Sequence, residues 1–324
     1  MNEQPLVSAV ITTRNRPELV TRAVRSALTQ DIASLEVIVV IDGYDPETIE
    51  VLKQVHDARL RWIVQPSNMG ACAARNRGVQ EAKGRWVALL DDDDEWLPGK
   101  LSLQMAAAEG DGPAPVIVAC RVIVERGIDR KVWPTRRPRD NEPLSEYIFC
   151  RSGVTLEGLV TTSMLFARRE LFQEVRFDTA VRRHQDTDWL LRAVAYAGAK
   201  LIWVWQPLAV FHQEVSDASI SRSSDPKPSL DWLRQTPLLT QRARAFFMAT
   251  QIAPRKGGCS LSFLWNVLLR SVRRPKAFRI ACIFLLTTPS VRQWVIARRT
   301  RRSEEEDLIA PLINAHDTRT PEPV

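Results

Sequence analysis

The chain has 324 residues, 45 % of them hydrophobic and 26 % charged, which excludes a disordered chain and suits one large α/β domain or a domain with an appendage. Its five cysteines (Cys72, Cys120, Cys150, Cys259, Cys282) are scattered, never in a CxxC pair, and histidines number only four, so a zinc finger is excluded and reduced thiols are expected. The net charge of +7 hides an asymmetry: residues 232–303 hold fifteen Lys and Arg and no Asp or Glu, leaving the remainder at −8.

The opening MNEQPLVSAVITT enters a strand-like run within six residues and has no basic leader region, so no signal peptide is expected. Residues 7–12 read as a short apolar strand and 17–29 as a helix, with Leu19, Val20, Ala23, Val24 and Ala27 on one face. Residues 36–41 (EVIVVI) form a continuous buried strand, 46–55 a second helix, 60–64 a third strand, 69–82 a third helix and 86–90 a fourth strand. Doubly buried strands alternating with helices predict a doubly wound, mostly parallel sheet, whose ligands bind beyond the carboxyl ends of the strands. That rule selects residues 12–16, 42–45, 65–70 and 91–94, all polar.

Further along, 116–124 reads as a strand, 133–139 as a Pro- and Arg-rich loop, and 159–167 as another strand. Residues 186–197 predict an amphipathic helix entered through acidic side chains, which suits the positive end of its dipole. Strands at 201–205 and 209–211 close the body, and 216–228 is a Ser-, Asp- and Pro-rich boundary. The expected organisation is a domain over 1–220, a basic helical extension over 221–303 and an acidic tail over 304–324.

The most conspicuous chemistry is RWVALLDDDDEW, where a buried strand runs into four aspartates and a glutamate. Like charges so close raise one another's pKa, and either open water or a cation must compensate. Carboxylate oxygens suit Mg²⁺ and Mn²⁺, and alternate residues of an extended segment face one way, which pairs Asp91 with Asp93. Asp42, in IDGYD, is either a turn residue or an acceptor for a base or ribose. Asn68 and Gly70 open a helix that carries Arg75, either as an ordinary cap and surface arginine or as a helix terminus offered to a diphosphate.

Four blocks occur in order: VSAVITTRNRPELVTRAVRSALTQ, EVIVVIDGYDPET, SNMGACAARNRGVQEAKGRWVALLDDDDEWLPGKL and HQDTDWLLRA. Together they resemble the family-2 glycosyltransferases, inverting enzymes of the GT-A fold, over roughly residues 5–215. The resemblance implies a Rossmann-like nucleotide-binding half, with Thr12, Thr13, Asn15 and Arg16 lining the nucleotide pocket and Asp42 holding the base. It implies that Asn68, Arg75, Asp91 and Asp92 serve the nucleotide-sugar, that Asp91 and Asp93 form the Asp-X-Asp element, and that Asp93 is the direct ligand of Mn²⁺ or Mg²⁺. Asp186 falls where the family places its base, with Asp188 beside it as the alternative helix cap. His212 matches loosely a position that can complete the metal shell; a structural histidine ending a strand is the other reading. The chain departs from the family pattern at Ile41, where a second acidic residue is common, and at Tyr44, where serine is.

The implied activity is transfer of a sugar from a UDP-sugar to a hydroxyl of a glycan or lipid-linked acceptor in cell-surface polysaccharide or glycoconjugate synthesis. Two other readings share features with it: a sugar-phosphate nucleotidyltransferase, with the same nucleotide and metal chemistry, and a basic nucleic-acid binder, supported only by the pI of about 9.4 and by no motif. Nucleic acid is therefore not an expected partner. No apolar stretch reaches the ~18–20 residues that span a bilayer. In the basic arm, Leu261, Leu264, Trp265, Leu268 and Val272 recur at helical spacing, with Arg270, Arg273 and Arg274 mostly outside the stripe. That pattern predicts a helix on an anionic membrane surface, or one packed on the body, and a cytoplasmic protein peripheral to the inner face of the plasma membrane.

Overall fold

The computed structural model describes residues 5–109, 114–151, 157–213 and 225–252. The alternation read from the first hundred residues is realised as β1 (Val7–Thr13), α1 (Pro17–Leu28), β2 (Leu35–Ile41), α2 (Pro46–Lys53), β3 (Leu60–Val64), α3 (Ala71–Glu81) and β4 (Trp86–Asp91). Every residue of β1 and β2 is buried, which is why the sequence there is apolar without alternation. β1 lies between β2 and β4, parallel to both, and β3 pairs parallel to β2. α3 lies so close to the sheet that a Cβ on Gly78 would run into the side chain of Val10, so glycine is the residue that fits there.

Beyond β4 the sheet changes character. β5 (Asp94–Trp96) and α4 (Lys100–Glu109) lead into a long strand, β6 (Val116–Arg126), paired with a short antiparallel β7 (Asp129–Trp133). After α5 (Leu144–Phe149) the strand expected over 159–167 is mostly absent: Thr162–Met164 form a 3₁₀ turn, and only β8 (Phe166–Arg168) is extended. The apolar run is a turn because Ser163 faces inward, where its hydroxyl joins the ends of β4 and β5. α6 (Arg169–Glu174), α7 (Gln185–Tyr196) and β9 (Lys200–His212) follow. The two strands expected at 201–205 and 209–211 are one, because a bulge opposite Arg121 absorbs the irregular residues between them.

The strand order is β3-β2-β1-β4-β8-β6-β9-β5, with β7 on β6. β8 runs antiparallel to both β4 and β6, and β9 runs parallel to β6, so the nucleotide-like parallel half is joined to a mixed half through one short strand. Trp86 stacks on Phe166 across that junction at 5.1 Å between ring centroids. A second aromatic group, Phe172, Phe177 and Trp189, fastens α6 and α7, with Phe172 and Trp189 4.4 Å apart. Each such fully buried aromatic contributes about 1.5–3 kcal/mol relative to exposure.

The chain divides into two compact units. The first comprises Met1–Ser223 and Lys227–Arg244, and therefore includes α8 (Lys227–Gln235) and the start of α9 (Gln241–Phe247). The second comprises Ser224–Pro226 and Ala245–Val324; its described part continues α9 into a single π-helical turn, Met248–Ile252. The basic stripe from Leu261 onward and the acidic tail lie outside the described residues. No helix among the described residues is long and apolar enough to cross a membrane.

Candidate functional site

The strand ends select the site, and the aspartate run shows how. The run is not one extended segment as expected: Asp91 ends β4, Asp92 and Asp93 form a turn, and Asp94 opens β5. Asp92 and Asp94 face inward: the Asp92 side chain is 8 % exposed and Asp94 is fully buried. Asp91 and Asp93 face outward, their side chains 29 % and 38 % exposed.

Each inward carboxylate has a fixed internal partner. Thr13, at the end of β1, donates its hydroxyl to Asp92 Oδ2 at 2.7 Å, and Arg16 donates to Asp92 Oδ1 at 3.0 Å. Ser163 donates to Asp94 and accepts the backbone N–H of Asp91 at 3.1 Å. Burial pushes the Asp92 carboxyl up to about 6, partly offset by the Arg16 charge and reinforced by Asp93. Burial likewise raises Asp94 well above the usual carboxylate range, with Asp93 and Asp91 adding to it.

The outward pair is held by arginines. Arg75, 6 % exposed on α3, donates to Asp91 Oδ1 at 2.7 Å. Arg16 reaches Asp93 Oδ2 at 3.3 Å, and Arg22 donates to the Asp93 carbonyl at 2.7 Å. The Asp93 carboxyl is raised by burial first and by the neighbouring Asp91 second. Two acidic groups thus stay partly exposed, each paired with one arginine.

The segment at the end of β2 and β3 is organised by Asp42. Its Oδ1 accepts from Gln65 Nε2 at 2.8 Å and from the Met69 backbone N–H at 2.7 Å, and its Oδ2 accepts from the Gly70 N–H at 2.8 Å. Asp42 therefore caps α3 from a distance, and Asn68, expected to open that helix, stands exposed in the loop before it. Gly70, at φ +90°, takes the capping position with no side-chain bond of its own. Thr12 is paired across to Asp91 in the sheet, and Asn15, at φ +52°, donates its N–H to Asp45 at 2.8 Å.

Arg75 also connects this cluster to α7. Its second Nη donates to Gln185 Oε1 at 2.7 Å, one residue before Asp186. Asp186 is half-buried, and its Oδ1 accepts the N–H of Thr187 at 2.7 Å. Loss of hydration raises its carboxyl above the usual range; the Arg75 charge opposes this and Asp91 reinforces it. Asp188 is different: its Oδ1 accepts from Trp232 Nε1 at 2.9 Å and its Oδ2 from Arg192 Nε at 2.8 Å, so it is the structural member of the pair.

His212 is at the end of β9, with Nε2 2.7 Å from Glu95 and Nδ1 3.2 Å from Glu125. Its ring is thus engaged by two glutamates rather than by Asp91 or Asp93. Arg22 completes this chain through Glu95 at 3.1 Å. Among the described residues no group of three His, Cys, Asp or Glu converges on one point.

Sequence reasoning missed Ser163, Gln185 and the pairing of Arg16 with Asp92 and Asp93. Ser163 and Gln185 had no local signal, because each meets its partner across 72 and 110 residues of chain. Arg16 was read for the nucleotide pocket, and its carboxylate partners stand 76 and 77 residues away.

The Glycosyl transferase family 2 model matches residues 8–176. The amylovoran biosynthesis glycosyltransferase AmsB of Erwinia amylovora is 31 % identical over 244 residues, covering 72 % of this chain and 79 % of that protein. A GalNAc(5)-diNAcBac-PP-undecaprenol beta-1,3-glucosyltransferase of Campylobacter jejuni is 33 % identical over 141 residues, 43 % of this chain and 45 % of its own. Among solved structures, S. aureus TarS 1-349 in complex with UDP-GlcNAc superposes with a TM-score of 0.54 at 17 % identity, over 87 % of this chain and 81 % of that one. The mannosyltransferase PcManGT of Pyrobaculum calidifontis, in complex with GDP-Man and Mn²⁺, gives 0.52 at 17 % identity, over 88 % and 86 %. At that identity the two structures speak for the fold, a GT-A arrangement.

Proposed function

Because the chain belongs to glycosyl transferase family 2, we propose that it is a metal-dependent, inverting transferase that moves a sugar from a UDP-sugar to a hydroxyl of a lipid-linked glycan. The observation that carries this reading is the position of Arg75, which joins the outward carboxylate Asp91 to the start of α7, where Asp186 lies. One guanidinium thereby ties the proposed donor-side carboxylate to the residue that precedes the proposed base.

The residues fit a hard divalent ion. Asp91 and Asp93 offer carboxylate oxygens on one open side, and their mutual repulsion is what a cation relieves. The sparse protein donor set suits Mn²⁺ or Mg²⁺ shared with the oxygens of a diphosphate. When bound, such an ion neutralises charge on the departing diphosphate.

In this reading Arg16 and Arg75 meet that diphosphate through guanidinium forks that also hold Asp92 and Asp91. The acceptor hydroxyl is a weak nucleophile until its proton moves to the Asp186 carboxylate as the new C–O bond forms. The bond from the anomeric carbon to the phosphate oxygen breaks, and its electron pair leaves with the nucleoside diphosphate. Attack opposite the leaving group inverts the anomeric centre, through an oxocarbenium-like state.

The lipid-linked acceptor is supported by the name of the Campylobacter relative, and the UDP-sugar by the TarS complex. The free thiols of Cys72, Cys120 and Cys150 and the acid-free basic stretch support a cytoplasmic protein lying against an anionic membrane. The deciding experiment is a thermal-shift panel of nucleotide-sugars with and without Mn²⁺. One donor that raises Tm only with the ion is the expected result; a flat panel overturns the reading.

A further inference from the structure

The strongest group outside the strand-end carboxylates is on the mixed half of the sheet. The register links Val87 to Ala167 to Ile117, and Ala88 to Phe166 to Val118. Three residues further along these parallel strands stand Asp91 on β4 and Arg121 on β6, so Arg121 is level with the catalytic end of the sheet. Opposite it, the β9 partner jumps from Val204 to Pro207, and the bulge leaves Trp205 beside Arg121.

There the Arg121 guanidinium is 4.8 Å from the Trp205 ring centroid, and that of Arg137 is 5.3 Å from the same centroid. Arg121 gives its Nε to the Pro134 carbonyl at 3.0 Å, which orients the fork and leaves both Nη groups without an acceptor among the described residues. Neither arginine has a carboxylate partner there, because the two nearby glutamates are taken: Glu142 and Glu157 both pair with Arg136, at 2.7 and 2.8 Å. Trp203, edge-on to Trp205 at 5.9 Å, has a buried indole N–H with no hydrogen-bond partner.

Two like charges on one indole form the inverse of the aspartate run: a cluster whose repulsion an anion would relieve. Guanidinium forks recognise phosphate oxygens through paired N–H donors, and stacking on an aromatic ring fixes their planes. We propose that Arg121 and Arg137, held on Trp205, form a subsite for a phosphate group of the acceptor, level with Asp91 along the strands. The ligand class is a phosphate or diphosphate ester, supplied either by the acceptor's own linkage or by a bilayer head group. This rests on the transferase reading above and names the acceptor chemistry for it.

The test uses the full chain with two probes, farnesyl diphosphate in EDTA and phosphatidylglycerol vesicles, against Arg121→Ala/Arg137→Ala. Arg137→Ala is run alone as well, since that side chain is exposed and its loss should leave Tm unchanged. At least ten-fold weaker farnesyl diphosphate binding in the double variant, with Mn²⁺-dependent donor stabilisation retained, supports an acceptor-borne phosphate. A loss confined to vesicle binding supports the same anion site with the bilayer as its source. Unchanged binding of both probes in both variants overturns the subsite. If the arginine dependence holds but no nucleotide-sugar stabilises the protein, the transferase reading fails and the anion site stands.

Discussion

Arg75 and Asp91 form an ion pair of 2.7 Å, in which the arginine is buried and the aspartate reaches solvent. The same arginine holds Gln185, so the pair ties the end of β4 to the start of α7. Arg75→Met should cost about 3 kcal/mol, the low end for breaking a buried pair because Asp91 remains partly hydrated. It should also lower donor turnover about 100-fold or more. Chemical denaturation and steady-state kinetics check the two effects, and retention of full turnover would separate Arg75 from the chemistry.

The inward and outward aspartates should respond in opposite ways. Asp92→Ala strips Thr13 of its acceptor and Arg16 of one of its two carboxylates and should lower stability by about 1–3 kcal/mol. Asp93→Asn removes one of two repelling carboxylates and should leave Tm unchanged or higher, while abolishing the Mn²⁺-dependent stabilisation by donor. Differential scanning calorimetry with and without ion and donor distinguishes them.

Asp186 and Asp188, two residues apart, divide along the same line. Asp186→Asn should preserve fold and donor binding and reduce transfer by about 10²–10⁴-fold, the usual range for a general base. Asp188→Ala should destabilise by about 2 kcal/mol, since it leaves Trp232 and Arg192 without their acceptor. Because burial raises the Asp186 carboxyl, transfer by the wild type should fall with acid at a higher pH than an ordinary aspartate would dictate. A pH–rate profile shows this as an acid limb displaced upward.

Lys100 offers a prediction on stability alone. It is fully buried between Gln104, at 2.6 Å, and the ring of Trp96, at 4.2 Å, and burial lowers its ammonium from 10.5 to about 8. Between pH 8 and 10.5 the unfolded chain holds a proton that the folded chain has released, so stability should rise across that window. Lys100→Met should flatten the rise, measured as urea midpoints from pH 7.5 to 10.5.

The arginine run 298–302 lies outside the described residues and is tested through charge. Converting Arg298, Arg299, Arg301 and Arg302 to Gln should weaken binding to phosphatidylglycerol vesicles at least ten-fold, at about 1 kcal/mol per cation near the surface. Co-sedimentation at low and physiological salt measures it.

Much of the fold was legible because the physics there is local. The buried runs at β1, β2 and β4 read as parallel strands from their lack of alternation, and the helices between them from their spacing. The mixed half was less legible. Residues 159–167 are as apolar as a strand, yet they turn where Ser163 is needed inside, and the bulged β9 was read as two strands. β5 was hidden in the acidic run itself, since its three residues become a strand only by pairing with β9.

What the sequence by itself determined is that carboxylates gather at the end of a buried strand, because an apolar run without alternation reads as a doubly buried strand wherever it lies. Which aspartate is sealed and which faces outward was decided by the tertiary structure, through Thr13, Arg16, Arg75 and Ser163. The same holds for Asp188, whose carboxylate the tertiary structure commits to Trp232 and Arg192. The reason is range: a pKa and a free lone pair depend on groups a few ångströms away in space, and here those groups come from up to 110 residues away in the chain.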